Sequence, residues 1–330
     1  MIKPTITDIA ERLGITPSTV SRALAGNPRV KPSTREAVEK AAAEMGYERN
    51  VMAANLRKGT ASVVGIIVPR INREFFSNII SSAEAILDEA GYSVIICQSV
   101  ESLKKELEAL RTLKRNQVAA VMISHSIDSA DGKAVKEIAG NTRIIQFDRV
   151  FDDIPGPKVL ADDRGGAYEA TTHMIRQGYK KIGTLAGYMN TSVYRERLLG
   201  YRKALEDNGI RYDESIVFTD TILRETGYEA ARKAIEAGCD ALYSAGDYSA
   251  LGAMDAVKEA GLPIPGGFGI VGTANETFTS LTSPTLSSVS QNPKEIGRRI
   301  AGVFLSGEED GAVEIVPTEL IVRESSDRGL

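Results

Sequence analysis

The chain has no tryptophan, only two cysteines and only two histidines among 330 residues. Cys97 and Cys239 lie far apart, in "VIICQS" and "AGCDAL". That spacing offers neither a disulfide framework nor a set of metal ligands. Each reads as a small buried hydrophobe in a reducing compartment. With His125 and His173 alone and no Gly-x-Ser-x-Gly elbow, no nucleophile–base constellation can be assembled. No apolar run reaches the roughly 18 residues of a membrane span. The opening "MIKPTITDIAERLG" has no apolar signal-peptide core. These absences lead to the expectation of a soluble cytoplasmic protein, not an enzyme, with no cofactor, metal or membrane partner. The 42% apolar and 25% charged content is ordinary for globular domains.

Charge of one sign is scarce only locally. The net charge is −4, yet residues 1–60 carry 10 Lys and Arg against 6 Asp and Glu, and the remainder carries 30 against 38. A basic end on an acidic body suits a local polyanion site.

That basic end contains "TITDIAERLGITPSTVSRALAG". Ile6, Ile9, Ala10 and Leu13 mark one helical face. Thr5 and Asp8 have capping-box spacing, and Gly14 can take the left-handed conformation that ends the helix. Thr16 then caps a second helix with Pro17 at its first position, and Val20 and Leu24 form its buried face. Two short helices joined by a Gly-containing turn make a helix-turn-helix. The second helix presents Pro17, Ser18, Ser21 and Arg22 outward. Arg22 can read guanine with two hydrogen bonds, and short Ser18 permits close approach to base edges. Thr16, Thr19 and Ser21 suit phosphate contacts. A third helix over "KPSTREAVEKAAAEMGY" is expected to start with a Ser33–Glu36 capping box and to bury Val38, Ala41, Ala42 and Met45. The loop before it offers Arg29 and Lys31 to the backbone or bases. A three-helix domain that binds no nucleic acid is the bland alternative.

"NVMAANLRKG" follows, residues 50–59. Asn50 can cap a helix carrying Met52 and Leu56 on one face, and Gly59 can end it. At about nine residues it is too short to be stable alone, because isolated helices below roughly 12–15 residues are marginal in water.

Beyond residue 61, apolar runs ("SVVGIIVP", "YSVIICQS", "VAAVMIS", "RIIQFD", "KVLAD", "KIGTLAG", "DALYSAG", "FGIVGTA") alternate with helical stretches. This pattern predicts parallel, doubly wound sheets in two similar halves, the first ending near residue 162. Ligands of such sheets bind at the carboxyl ends of the strands. The residues there include Asn72, Phe75, Phe76, Ser124, Asp148, Arg149 and Asp247. Aromatic faces beside acid and Arg groups suit a polyhydroxylated ligand. Phe75 and Phe76 could equally be core, Asp148 and Arg149 a structural ion pair, and Asp162–Asp163 a helix cap or a contact between the halves.

Taken together, "ITDIAERLGITPSTVSRALAG", "NVMAANLRKG", "FDR", "RERLLGYRKAL", "GDYSALGAMDAVKEAG" and "PTLSSVSQNP" resemble the LacI/GalR family of bacterial transcriptional regulators, over about residues 1–325. The resemblance implies a small all-α helix-turn-helix headpiece (1–49), a hinge helix and linker (50–60) and a two-lobed α/β core like that of periplasmic sugar-binding proteins (61–330). The lobes are expected at about 61–161 with 292–320, and 162–291 with 321–330. It further implies a homodimer on a near-palindromic operator. The hinge would order on DNA, with Leu56 wedged between central base pairs and Arg57 following into the groove or onto phosphate. A helix unstable by itself then couples its folding to DNA binding. In the core, Arg197 matches an arginine that holds a ligand's hydroxyls or carboxylate, Asp247 matches the family acid, and Gln291 lies near the lobe interface. Ala274 and Asn275 stand where many members have two acids, and Val193 replaces a Ser or Thr. Asn275 can still serve a hydroxylated ligand.

The resulting expectation is a repressor of a carbohydrate-use operon, switched by a sugar or sugar derivative between the lobes. A regulator of purine or other non-sugar metabolism, and a solute-binding receptor without a DNA role, are the alternatives.

Overall fold

The computed structural model describes residues 4–47, 62–308 and 311–330. The chain divides into two compact units, residues 1–61 and 62–330. The hinge expected over 50–60, with Asn50, Leu56 and Arg57, lies outside the described residues.

The first unit contains α1 (Ile6–Leu13), α2 (Pro17–Leu24) and α3 (Pro32–Glu44). At the start of α1 the Thr5 amide donates to the Asp8 carboxylate at 2.7 Å, and Asp8 N–H donates back to the Thr5 hydroxyl. Gly14 ends α1 with φ 64°, which costs a side chain but not glycine. Thr16 caps α2, accepting from Thr19 N–H, and Pro17 opens it. Ile9, Ala10, Val20, Ala23, Val38, Ala41 and Ala42 are buried together, with Leu13, Leu24 and Met45 packed against them. The small Ala10 and Ala23 let short helices cross closely. One expectation fails: the Ser33–Glu36 box is absent, because α3 begins at Pro32 with Lys31 as its N-cap. Proline's fixed φ favours the first helical position, which moves Ser33 inside the helix. Arg35 instead donates to the Gly26 and Asn27 carbonyls, at 3.3 and 3.1 Å, and anchors the loop before α3.

The second unit starts with β1 (Val63–Val68), α4 (Glu74–Glu89), β2 (Ser93–Gln98), α5 (Leu103–Arg115), β3 (Ala120–Ile123), α6 (Lys133–Ala139), β4 (Ile144–Phe147) and β5 (Lys158–Ala161). There follow α7 (Asp163–Arg176), β6 (Ile182–Leu185), α8 (Ser192–Asp207), β7 (Val217–Phe218), α9 (Arg224–Glu236), β8 (Ala241–Ser244), α10 (Asp247–Glu259), β9 (Gly269–Thr273) and β10 (Ser287–Ser290). The chain closes with α11 (Pro293–Ser306), β11 (Val313–Val316) and β12 (Glu319–Ile321). Two six-stranded sheets result, in the orders β11-β5-β4-β3-β1-β2 and β12-β10-β9-β8-β6-β7. Every pairing is parallel except β10 with β12. Among the described residues no helix is long and apolar enough to cross a membrane.

The chain passes between the lobes more than once. After β10, helix α11 buries Ile296, Ile300 and Phe304 in the first lobe's core, and β11 joins its sheet. β12 then pairs with β10 in the second sheet, Glu319 opposite Ser290 and Leu320 opposite Val289. Residues 319 and 320 therefore belong with the second lobe, slightly earlier than expected, because the short β12 needs them for its ladder.

Helix pairs within the lobes approach closely through glycine. A Cβ at Gly252 of α10 would fall inside the van der Waals envelope of the Arg224 carbonyl on α9, and one at Gly227 of α9 inside that of the Ser249 carbonyl. The backbone cannot yield as a flexible side chain would. Gly252→Val should force the helices apart and cost about 1–3 kcal/mol or more by overpacking. A thermal midpoint equal to that of the unsubstituted protein would contradict this packing.

Candidate functional site

On the headpiece, Thr16, Pro17, Ser18, Arg22 and Arg29 are exposed, and Thr19 and Ser21 half-buried. Thr16 first serves its own helix. Its hydroxyl lies 3.0 Å from that of Ser18 and 2.9 Å from that of Thr19. These three hydroxyls and the exposed first turn of α2 form a small polar ledge, with Arg22 one turn further along. The Arg29 amide is fixed by the Asn27 side chain at 3.0 Å, which leaves its guanidinium at the surface. Such a ledge can approach a phosphate backbone and present one long cation to base edges.

In the core a cavity of about 130 Å³ lies where the strands of both sheets end. The first lobe supplies Arg70 and Arg73 from the loop after β1, and Phe75 and Phe76 from the first turn of α4. It also supplies Glu101 after β2, and Asp148 and Arg149 after β4. The second lobe supplies Tyr194 and Arg197 from α8, Asp247 and Tyr248 from α10, Glu276 after β9 and Gln291 after β10. Several of these loops hold non-glycine residues at positive φ: Glu101 at 60°, Asp148 at 58° and Ala274 at 120°. Such residues cost of order 1–3 kcal/mol each and cluster at functional sites.

Two arginines are clamped by acids, Arg197 by the buried Asp163 and Arg149 by the half-buried Glu101. Arg197 directs Nε and Nη2 to Asp163 Oδ1, both at 2.8 Å, and Nη1 to the Ala245 carbonyl at 2.6 Å. Gln291 Nε2 donates to the same Asp163 oxygen at 3.3 Å. Arg149 Nη1 donates to Glu101 Oε2 at 2.7 Å. Behind it, His125 is buried between Glu106 Oε1 at 2.7 Å and Gln146 Oε1 at 3.2 Å, bracing the loop that carries Arg149. Arg149 thus pairs with Glu101, whereas Asp148 accepts from Ser124 at 2.7 Å. The neighbours in sequence are not each other's hydrogen-bonded partners. Asp162 caps α7 and Asp163 orients Arg197, so the adjacent carboxylates have separate tasks.

Asp247 is fully committed inside its lobe. Oδ1 accepts from the Ser288 hydroxyl at 2.6 Å and Oδ2 from Glu276 N–H at 2.9 Å. Burial pushes its carboxyl up to about 6, against the pull of those hydrogen bonds. Burial likewise raises Asp163 to about 6, opposed by Arg197, and raises Asp148 and Glu276.

Of the residues expected to line the cleft, Phe75, Phe76, Asp148, Arg149, Arg197, Asp247 and Gln291 do so. The two phenylalanines are core and lining at once, packed edge to face with centroids 5.0 Å apart. Three do not reach the cavity lining. Asn72 is exposed. Ser124 spends its hydroxyl on Asp148. Asn275, with φ 53°, receives a hydrogen bond from Arg323 at 2.7 Å and turns away from the lining formed by its neighbours Ala274 and Glu276. Arg70, Arg73, Glu101, Tyr194, Tyr248 and Glu276 were not foreseen. All but Tyr194 lie within a few residues after a predicted strand, which is their only mark in the sequence.

The lobes touch directly around the cavity. Glu74 N–H donates to Glu276 at 3.3 Å and Thr277 N–H donates to Glu74 at 2.6 Å. The Arg73 guanidinium lies 3.6 Å from the Tyr248 ring centroid. Asn190 donates to the Ile127 carbonyl at 2.6 Å. These contacts hold the lobes together around a volume smaller than the roughly 300–1,000 Å³ usual for ligand pockets.

A helix-turn-helix unit on the same chain as a two-lobed, cleft-bearing α/β core defines a class of DNA-binding transcriptional regulator. The family models agree: residues 5–50 match that of bacterial regulatory proteins of the lacI family, and residues 171–326 match a periplasmic binding protein-like domain. The chain is 31% identical to the HTH-type transcriptional regulator DegA of Bacillus subtilis, covering 98% of both chains. A Lac repressor dimer bound to operator and the anti-inducer ONPF superposes with a TM-score of 0.87 at 25% identity, covering 98% of this chain and 99% of that one. A complex of the transcriptional regulator CelR with cellobiose gives a TM-score of 0.73 at 26% identity, with the same coverages. The chain belongs to the LacI family of helix-turn-helix transcriptional regulators.

Proposed function

We propose that this protein is a homodimeric repressor of a carbohydrate-use operon in the cytoplasm, its affinity for a near-palindromic operator set by a small polyhydroxylated effector in the interlobe cleft. The observation that carries this reading is the pair of arginines facing one cavity from opposite lobes, Arg149 and Arg197, each oriented by an acid of its own lobe. Their remaining N–H groups can hold ligand hydroxyls or acids, and Phe75, Phe76 and Tyr194 can pack against an apolar ring face. A relative with cellobiose in its complex supports the sugar class.

The dimer face is proposed on α4, β2 and the loop after β1, where Ile71 and Ile96 are about half exposed beside Val94 and Ile80. β2 is also an unpaired sheet edge. The operator-bound Lac repressor is itself a dimer. Effector binding would alter the lobe contacts at Glu74, Thr277 and Tyr248. The two hinge segments of the dimer would then move relative to one another, shifting the balance between DNA-competent and incompetent states.

The DNA contacts are assigned to Thr16, Pro17, Ser18, Thr19, Ser21, Arg22 and Arg29, with Asn50, Leu56 and Arg57 from the hinge. Fluorescence anisotropy on selected operator fragments tests them. Arg22→Ala should relax preference at one base pair, where a bidentate contact is worth about 1–3 kcal/mol. Arg29→Ala should weaken all sequences alike and flatten the salt slope by about one. Unchanged discrimination in Arg22→Ala would remove its base-reading role. Screening sugars, sugar acids, sugar phosphates and purines by thermal shift tests the effector class. A hit among purines alone would replace the carbohydrate reading.

A further inference from the structure

We propose that the ligand of the cleft is an anion, a polyol bearing a carboxylate or a phosphate, gripped by Arg70 and Arg73. This rests on the reading of the cleft as the effector site and narrows it to one charge class.

Every acid lining the cavity already has protein donors. Glu101 accepts from Arg149 and from Ile127 N–H. Asp148 accepts from Ser124, Asp247 from Ser288 and Glu276 N–H, and Glu276 from Glu74 N–H. The donors are in the opposite condition. Arg70 lines the cavity half-buried, with neither a carboxylate nor a carbonyl partner among the described residues. Arg73 lays the face of its guanidinium on Tyr248. Stacking uses the face and leaves the N–H groups at the guanidinium edge unpaired. Two guanidinium groups with N–H edges free at one cavity are completed by a ligand that brings acceptors, and charge-assisted bonds to an anion are the strongest of these.

Four arginines and four acids line the cavity, so its charge is balanced while the acids are ionised. Guanidinium groups stay protonated, whereas burial makes the facing acids easier to neutralise. Three helices also begin at the cavity: Phe75 and Phe76 are in the first turn of α4, Tyr194 in that of α8 and Tyr248 in that of α10. Their N-terminal dipoles favour negative charge. Arg73 comes from one lobe and stacks on the other, so an anion held by it sits where lobe closure is sensed.

Calorimetric titration of the full-length protein with matched trios tests this: galactose, galacturonate and galactose 6-phosphate, and the corresponding glucose series. The expected result is an anionic member binding at least about tenfold more tightly than its neutral parent, an advantage that shrinks as salt screens the charge. The carboxylate and phosphate arms tell which anion is meant. In the R70Q/R73Q variant the advantage should fall to within about twofold. A neutral sugar binding as well as its anions overturns the proposal, as does an advantage that survives the double variant or a complete absence of binding by the anionic sugars. The wild-type comparison decides even if the variant folds poorly. A neutral sugar whose binding is lost in Arg197→Ala would leave the cleft reading intact and the charge class wrong. Binding indifferent to Arg197→Ala would remove both.

Discussion

Replacing Arg197 with alanine should destabilise the core by about 3–5 kcal/mol and abolish effector binding together. The expected size follows from what remains behind. Asp163 is 8% exposed and receives Arg197 Nε and Nη2 on one oxygen. With the guanidinium gone, only Gln291 still donates to that oxygen, and breaking a buried pair from one side strands the other charge. Asp163 can escape by taking up a proton. Arg197 is the largest influence holding its carboxyl down against burial, so in the variant the acid stays protonated to higher pH. The loss should therefore be smaller at pH 5 than at pH 8, measured by urea denaturation at both. A double replacement, Asp163→Leu with Arg197→Met, should recover much of the stability, since apolar residues of similar volume substitute for buried pairs at little cost. It should not recover effector binding. If Arg197→Ala unfolds at the same denaturant concentration as the unsubstituted protein, the pair is not the buried clamp described above.

How far the sequence reveals this clamp is instructive. "RERLLGYRKAL" picks out Arg197 by its likeness to a family motif, and "VLADDRGG" draws attention to Asp163. The ion pair between them spans 34 positions, and no local spacing encodes it. The sheets show the same division. Strands such as β1 and β9 are visible because parallel strands buried on both faces read as apolar runs. β10, "SSVS", is as buried but does not read so. Its serines replace hydrophobic burial with hydrogen bonds, Ser287 to the Arg323 carbonyl and Ser288 to Asp247. β7, with two residues, is too short for any periodicity. In the headpiece the capping chemistry of Thr5, Asp8 and Thr16 is local and fully legible. At Ser33 local rules compete, and Pro32 prevails. Asn275 fails for a different reason: its backbone turns through positive φ, and its side chain meets Arg323, 48 positions away.

Lowering the pH from 7 to 5 should make the core more stable, the reverse of ordinary acid denaturation. Asp247 has a folded carboxyl near 6 against an ordinary 3.8. Between those values the unfolded chain has released the proton and the native protein keeps it. The native state then binds more protons, so stability falls as pH rises through the window and stays low above it. The whole window from 3.8 to about 6 corresponds to about 3 kcal/mol, of which about half is gained by pH 5. Asp163 contributes in the same direction from its own value near 6, and Asp148 and Glu276 are also raised. His173 opposes them, because burial lowers its affinity for a proton that the unfolded chain accepts below about 6.5. Surface acids held low, such as Asp153 and Glu295, lose their stabilisation only as pH falls further, through the ordinary carboxylate range. The thermal midpoint of the core should accordingly rise from pH 7 to 5 and turn downward below about 4. Asp247→Asn is the decisive variant. Its amide can turn its oxygen to Glu276 N–H and its NH2 to the Ser288 hydroxyl, so both partners stay satisfied and the fold is kept. The slope between pH 5 and 7 should flatten by about the Asp247 share. A slope identical to that of the unsubstituted protein would show that Asp247 is ionised in the folded core at pH 5. Its two hydrogen bonds would then outweigh burial, and the acids of the cleft would hold their charge against the arginines opposite.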